Sequence, residues 1–160
     1  MREYKKVAIP LDPIRPKSVN ILQLKLAKSA STDSRSREIL FFGVHFHAGT
    51  EEGDNRQRLE DQRQLMKVEQ HLVSSSLSCR YGNNTSFILG DLNFRLNQWF
   101  LSPTRIYQAI EKRDWATLLR HDQLSIARKE GDRAFDKYHE AEIRFPPTYK
   151  LLPGSDRYSS

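Results

Sequence analysis

The 160 residues carry 26 lysines and arginines against 20 acidic residues, a formal net charge of +6, with 38% hydrophobic and 29% charged residues. That balance excludes a disordered or fibrous chain and allows one domain with a real core. No apolar stretch approaches the roughly 20 residues that a membrane-spanning helix needs, and the positive excess favours an anionic partner such as a phosphate, a nucleic acid or an acidic lipid surface.

The single cysteine, Cys79, excludes an internal disulfide and fits a reducing compartment. Met1 to Lys6 is charged and followed by prolines, so it is not expected to act as a signal peptide. Residues 1–17 are basic and broken by Pro10, Pro13 and Pro16, with a short strand expected over Val7 to Ile9. From Ser18 to Lys28 apolar and polar residues alternate, which predicts a strand with one wetter face. A serine-rich loop follows from Ser29 to Arg37. Glu38 to Phe46 predicts a second strand. Its centre, Ile39 to Val44, is nearly all apolar, so burial on both faces is expected.

After a loop over Gly49 to Gly53 the pattern becomes helical from about Asp54 to Ser75. Asp54 or Asn55 would cap the helix. Leu59, Met66 and Val73 would share its inner side with Gln62, Leu65 and Gln70, leaving Arg56 to Lys67 as a solvated basic face. Asn83-Asn84-Thr85 matches a glycosylation pattern but reads as a turn. Short helices are expected over Thr104 to Lys112, with Ser102 as cap and Pro103 at the start, then Asp114 to Leu119 and Gln123 to Glu130. Phe135, Tyr138, Ile143 and Phe145 lie in a less regular region. Phe145 to Lys150 is expected to be extended, because each proline forces its predecessor out of the helical region. Strand, strand, helix, strand predicts a mixed sheet with helices packed on it.

Between the long helix and the short ones stands Ser86-Phe87-Ile88-Leu89-Gly90-Asp91-Leu92-Asn93-Phe94-Arg95. An apolar run, expected to be a buried strand, ends at Gly90. An acid, an amide and a cation then follow at alternate positions. In an open α/β sheet the carboxyl ends of strands are where sites are built. The same residues also make ordinary turns. The stretch alone leaves both readings open.

Phe87 to Arg95 resembles the GDLNYR motif of the inositol polyphosphate 5-phosphatases. Phe145-Pro146-Pro147-Thr148-Tyr149-Lys150 resembles their F-x-PTYK motif, and Leu119 to Leu124 their L-x-x-DQL stretch. Phe135, Glu140 and Ile143 are similar to the lead-in to the second motif. Val44-His45-Phe46 is similar to the SHL strand end, and Asn55-Arg56 to Asp61 to the R-x-x-D region. The resemblance covers roughly residues 18 to 158, is strongest over 38–158, and takes in only the middle of the family's catalytic domain. The early strands with an Asn and the Mg²⁺-binding Glu have no counterpart in this chain, nor do the closing W-C-D-R-I and S-D-H segments. Gly49 stands where the family's H-L-A-A-H has its second His.

The resemblance implies an α/β fold: part of a four-layered, DNase I-like sandwich with a mixed sheet and flanking helices. It implies a Mg²⁺-dependent phosphomonoester hydrolase that removes the 5-phosphate from phosphoinositides or inositol polyphosphates. Such an enzyme would be cytoplasmic and peripheral to anionic membranes. Phosphoryl transfer depends mainly on positioning and charge neutralisation. Asp91 would accept a proton from the attacking water or orient it. Asn93 would donate its amide to the scissile phosphate, and His45 would donate to a phosphoryl oxygen. Tyr149 and Lys150 would bind a neighbouring phosphate of the ring. Arg95 would join them or pair with a local carboxylate. No metal ligand is assigned within these residues. Two other readings stay open: a catalytically incomplete fragment or phosphoinositide-binding module, and a nuclease of the same fold, against which Tyr149-Lys150 argues.

Overall fold

A computed structural model describes residues 3–10, 18–26, 37–75, 84–97, 100–131 and 136–158. The loop expected from Ser29, together with Cys79, Gly82, Asn83 and Phe135, lies outside the described residues. The chain divides into two compact units, Met1–Phe94 and Arg95–Ser160.

The first unit is built on four strands: β1 (Glu3–Pro10), β2 (Ser18–Leu26), β3 (Arg37–His45) and β4 (Asn84–Asp91). They lie side by side in chain order. β1, β2 and β3 pair antiparallel, and β3 and β4 pair parallel. The long helix α1 (Glu52–Ser75) connects the parallel pair. The sheet is therefore mixed, as expected. β1 is longer than the three residues the sequence suggested, because its neighbour β2 offers a full row of partners. β4 begins at Asn84, so Asn84 and Thr85 belong to the strand and not to a turn.

The core lies on one face of the sheet. Val19 and Ile21 of β2, Leu40, Phe42 and Val44 of β3, Phe46 beyond it and Leu65 of α1 are all buried. Met66, Leu72, Ile88, Leu92 and Phe94 pack against them. Each fully buried Leu or Phe of this kind contributes about 2 kcal/mol by leaving water. Buried and half-buried positions alternate along β3, which corrects the expectation that it is covered on both faces. Ile39 and Phe41 face the other way. So do Phe87 and Leu89 of β4, at 47% and 52% exposure, which corrects the reading of that strand as buried. Phe41 and Phe87 stack there with ring centroids 5.2 Å apart.

The helix also differs from its expected pattern. It begins at Glu52, ahead of Asp54, and its inner row is Arg58, Asp61, Gln62, Leu65 and Glu69. Of the expected inner side, Gln62 and Leu65 are buried and Met66 and Val73 pack against the core, while Leu59 is half-buried and Gln70 is exposed. Apolarity alone could not find this face, because its first turns address a polar loop.

The second unit holds three short helices: α2 (Pro103–Glu111), α3 (Trp115–Arg120) and α4 (Gln123–Lys129). Each begins at a side chain that accepts from the backbone. Ser102 accepts from Arg105, Asp114 from Thr117, and Asp122 from Ser125. Such caps satisfy donors that a short helix cannot satisfy itself. Leu101, Ala109 and Leu118 are buried together, with Leu96, Ile106, Ile110 and Trp115 around them.

Candidate active site

The parallel register places His45 directly beside Asp91, at the carboxyl ends of β3 and β4. Strand alternation puts both on the face shared by Phe41, Phe87 and Leu89, away from α1. Both are exposed. Gly90 makes this pairing possible. Its φ is +127°, and a Cβ there would lie 2.0 Å from the carbonyl oxygen of Val44. Only glycine lets β4 come this close and then turn.

The turn after Gly90 is closed by its own side chains. Asp91 Oδ1 accepts from the backbone N–H of Asn93 at 2.9 Å. Asn93 has φ 56°, a left-handed conformation that Asn tolerates better than most residues. Its Nδ2 donates to the carbonyl of Phe46 at 2.9 Å, and the Phe46 N–H donates to the carbonyl of Asp91 at 2.9 Å. Leu92 and Phe94 anchor the turn in the core. The turn and site readings thus describe the same residues. Ordinary turn chemistry holds an exposed carboxylate and an exposed imidazole side by side. The bond to Phe46 takes up one N–H of the Asn93 amide and leaves its other N–H for a ligand.

The loop after His45 is held from α1. His47 Nε2 lies 2.7 Å from Asp54 Oδ1, and Asp54 Oδ2 accepts from the Glu51 N–H. The His47 hydrogen bond, then that of Glu51, holds the Asp54 carboxyl below its usual value. Gly49 has φ +126°, and a Cβ there would lie 2.0 Å from the Asp54 carboxylate. The position that holds a second His in the family pattern has a backbone conformation in this chain that L side chains rarely adopt, and a Cβ would displace the Asp54 carboxylate. Arg58, expected on a solvated face, is instead fully buried and bonded to this loop. The signal for it was available: Asp54, Arg58 and Asp61 follow the strand end at helical spacing.

In the second unit the guanidinium of Arg95 lies over the ring of Tyr149, 5.7 Å from its centroid. Arg95 therefore pairs with an aromatic face. Gln123 brackets the Arg95 backbone, accepting from its N–H at 3.0 Å and donating to its carbonyl at 2.9 Å. The Asp-Gln-Leu motif is thus structural: Asp122 caps α4 and Gln123 fixes Arg95. Lys150 is exposed. The segment carrying Tyr149 and Lys150 is latched on both sides. Tyr158 donates its hydroxyl to the Pro147 carbonyl at 2.5 Å, and Leu151 bridges to Tyr158. Burial pushes the Tyr158 phenol above its ordinary value.

The structure brings His45, Asp91 and Asn93 together in one unit, and Arg95 and Tyr149 in the other. Among the described residues no group of three His, Cys, Asp or Glu side chains is placed to hold a metal ion. Asp91 offers one open carboxylate oxygen. That donor set does not by itself fit Mg²⁺, which prefers six oxygen ligands.

The match to known proteins covers most of the chain. The family model described as Endonuclease/Exonuclease/phosphatase family 2 matches residues 24–160. Type IV inositol polyphosphate 5-phosphatase 3 of Arabidopsis thaliana is 34% identical over 139 residues, covering 85% of this chain and 20% of its own length. Type I inositol polyphosphate 5-phosphatase 8 of the same plant is 32% identical, over 81% of this chain and 27% of its own. Phosphatidylinositol 3,4,5-trisphosphate 5-phosphatase 1 of Xenopus laevis is 34% identical over 142 residues, 87% of this chain and 14% of its own. The chain spans about a fifth of the length of the curated relatives it matches. With its mixed sheet, its GDLN turn and a family match reaching from β2 to residue 160, this chain belongs to the endonuclease/exonuclease/phosphatase family 2.

Proposed function

We propose that the whole protein is a phosphomonoester hydrolase that removes the 5-phosphate from phosphoinositides or inositol polyphosphates. The observation that carries this reading is the register pair His45–Asp91, with the Asn93 turn closed beside it. The names of the relatives support the substrate class. Asp91 orients the attacking water and takes its proton. His45 and the second N–H of Asn93 donate to oxygens of the scissile phosphate, where negative charge is spread in the transition state. Lys150 and Tyr149, the latter under Arg95, hold a neighbouring phosphate, for which a flexible point charge is suited. Mg²⁺ is the cofactor of this reading, with ligands beyond the donor set described. The enzyme would act at the cytoplasmic surface of anionic membranes.

A second reading follows from the incomplete donor set: the 160 residues alone bind a phosphoinositide headgroup without turning it over. Phosphate release from phosphoinositide vesicles and from soluble inositol polyphosphate separates the two. The complete gene product should release phosphate with added Mg²⁺. No release by the complete product overturns the enzyme reading. Headgroup binding by the 160 residues without release supports the module reading for the piece.

A further inference from the structure

Helix α1 grips the loop that follows His45 with charged side chains that have left solvent. Arg58 is 0% exposed and Asp61 is 3% exposed. Arg58 Nη1 donates to the carbonyls of His47 and Gly49, each at 3.2 Å. Asp61 Oδ2 accepts from the His47 N–H at 2.8 Å, while Gln57 Nε2 donates to its other oxygen at 3.3 Å. Asp54 holds the His47 ring. The backbone donor, the backbone acceptor and the side chain of His47 are therefore all engaged by one helix.

Water would satisfy the same loop groups with no buried charge. Burying a guanidinium carries a desolvation cost that a merely satisfied carbonyl does not require. What the buried cation adds is a fixed course for the backbone. On its other side the same loop is held at Phe46, between the Asn93 amide and the Asp91 carbonyl. His45 is the residue that enters this doubly held segment.

We propose that Arg58, with Asp61, is a positioning residue for the site. It sets the backbone after β3 so that the His45 imidazole, the Asp91 carboxylate and the Asn93 amide address one phosphoryl group. Arg58 acts through the loop and does not touch the substrate. The kinetic part of this inference rests on the phosphatase reading above; the structural part does not.

The test compares Arg58→Ala and Arg58→Lys with Leu65→Ala in the complete gene product. Leu65 is buried on the same helix, about two turns further on, and faces the sheet instead of the loop. Turnover and KM on soluble inositol polyphosphate, melting temperature, and the His45 ring resonances are measured together. Arg58→Ala should lower kcat by about 100-fold with KM changed less than about threefold, since small misplacements remote from the chemistry have effects of that size. Leu65→Ala, at an equal or larger loss of melting temperature, should lose less than about tenfold. Arg58→Lys should recover stability but little of the rate, because its stem is one bond shorter and its ammonium does not reach the place of Nη1. The His45 resonances should shift in both Arg58 variants and stay in place in Leu65→Ala. Equal kcat loss in Arg58 and Leu65 variants of matched stability, with His45 unmoved, overturns the proposal. If Arg58→Ala does not fold, Arg58→Lys carries the same comparison. If the wild-type protein hydrolyses no inositol phosphate, the phosphatase reading falls, and the His45 resonances still decide the positioning role.

Discussion

His45 and Asp91 face each other across the last step of a parallel ladder, one at the end of β3 and one at the end of β4. Their side chains are exposed, so neither is needed for packing. Asp91→Asn keeps the shape and the acceptor for the Asn93 N–H but removes the base. On the proposed chemistry it should lower turnover by about 1000-fold, within the range for loss of a general base. The melting temperature should move by no more than about 2 °C. Phosphate release and a thermal melt on the same sample check both halves. Near-normal turnover would remove Asp91 from the mechanism.

Gly90→Ala puts a methyl group where the Val44 carbonyl stands, in a backbone conformation that L-residues avoid. The cost should be about 3 kcal/mol or more, from backbone strain and from the clash with the Val44 carbonyl. Urea unfolding of wild type and variant measures it. The variant should also lose the His45–Asp91 register, so its activity should fall further than its stability alone explains.

The two faces of the sheet predict different costs for the same substitution. Phe42→Ala opens a hole among Ile21, Leu40 and Leu65 and should cost about 4 kcal/mol. Phe87→Ala removes a ring that is 47% exposed and stacked on Phe41, and should cost about 1 kcal/mol. Equal costs would mean that the second face is packed as tightly as the first.

The Asp54 carboxyl is held below its usual value by His47 and by the Glu51 N–H. A depressed carboxylate adds stability above its unfolded value of 3.8, and that stability is lost as pH falls through the folded value. Asp54→Asn should therefore be less stable than wild type at neutral pH, and the gap should close as pH drops below about 4. Urea midpoints at neutral pH and at about pH 3 decide this. A gap that persists unchanged into acid would show that the contact with His47 does not depend on the charge of Asp54.

Much of this arrangement was legible in the residues. Gly90, Asp91 and Asn93 marked a strand end, and alternation marked β2. Ser102 and Pro103 marked the start of the first short helix. What the sequence concealed has a common cause. Phe87, Leu89 and Ile39 are apolar, and an apolar residue does not reveal whether a neighbour covers it. Arg58 and Asp61 are charged, and a charged residue does not reveal that a loop will offer it carbonyls and N–H groups out of water. For Arg58 and Asp61 the helical spacing after the strand end was the one local trace; for the apolar residues the deciding partner is distant in sequence and local pattern is silent about it. The double use of Asn93, as turn former and as amide bonded to Phe46, was hidden for the same reason.

The parallel pairing of β3 with β4 also fixes when the site can exist. Phe46 and Asn93 are 47 residues apart in sequence. β1, β2 and β3 pair with their sequence neighbours, while β4 must wait until the whole length of α1 has carried the chain back across the sheet. Such long-range closures form late, and a strand at the rim of the described sheet is the first that can peel away. A molecule that has released β4 would keep its antiparallel strands and most of its helix, yet hold no pair of His45 and Asp91. In mild urea the pairing of His45 with Asp91 should therefore be lost before the circular dichroism is.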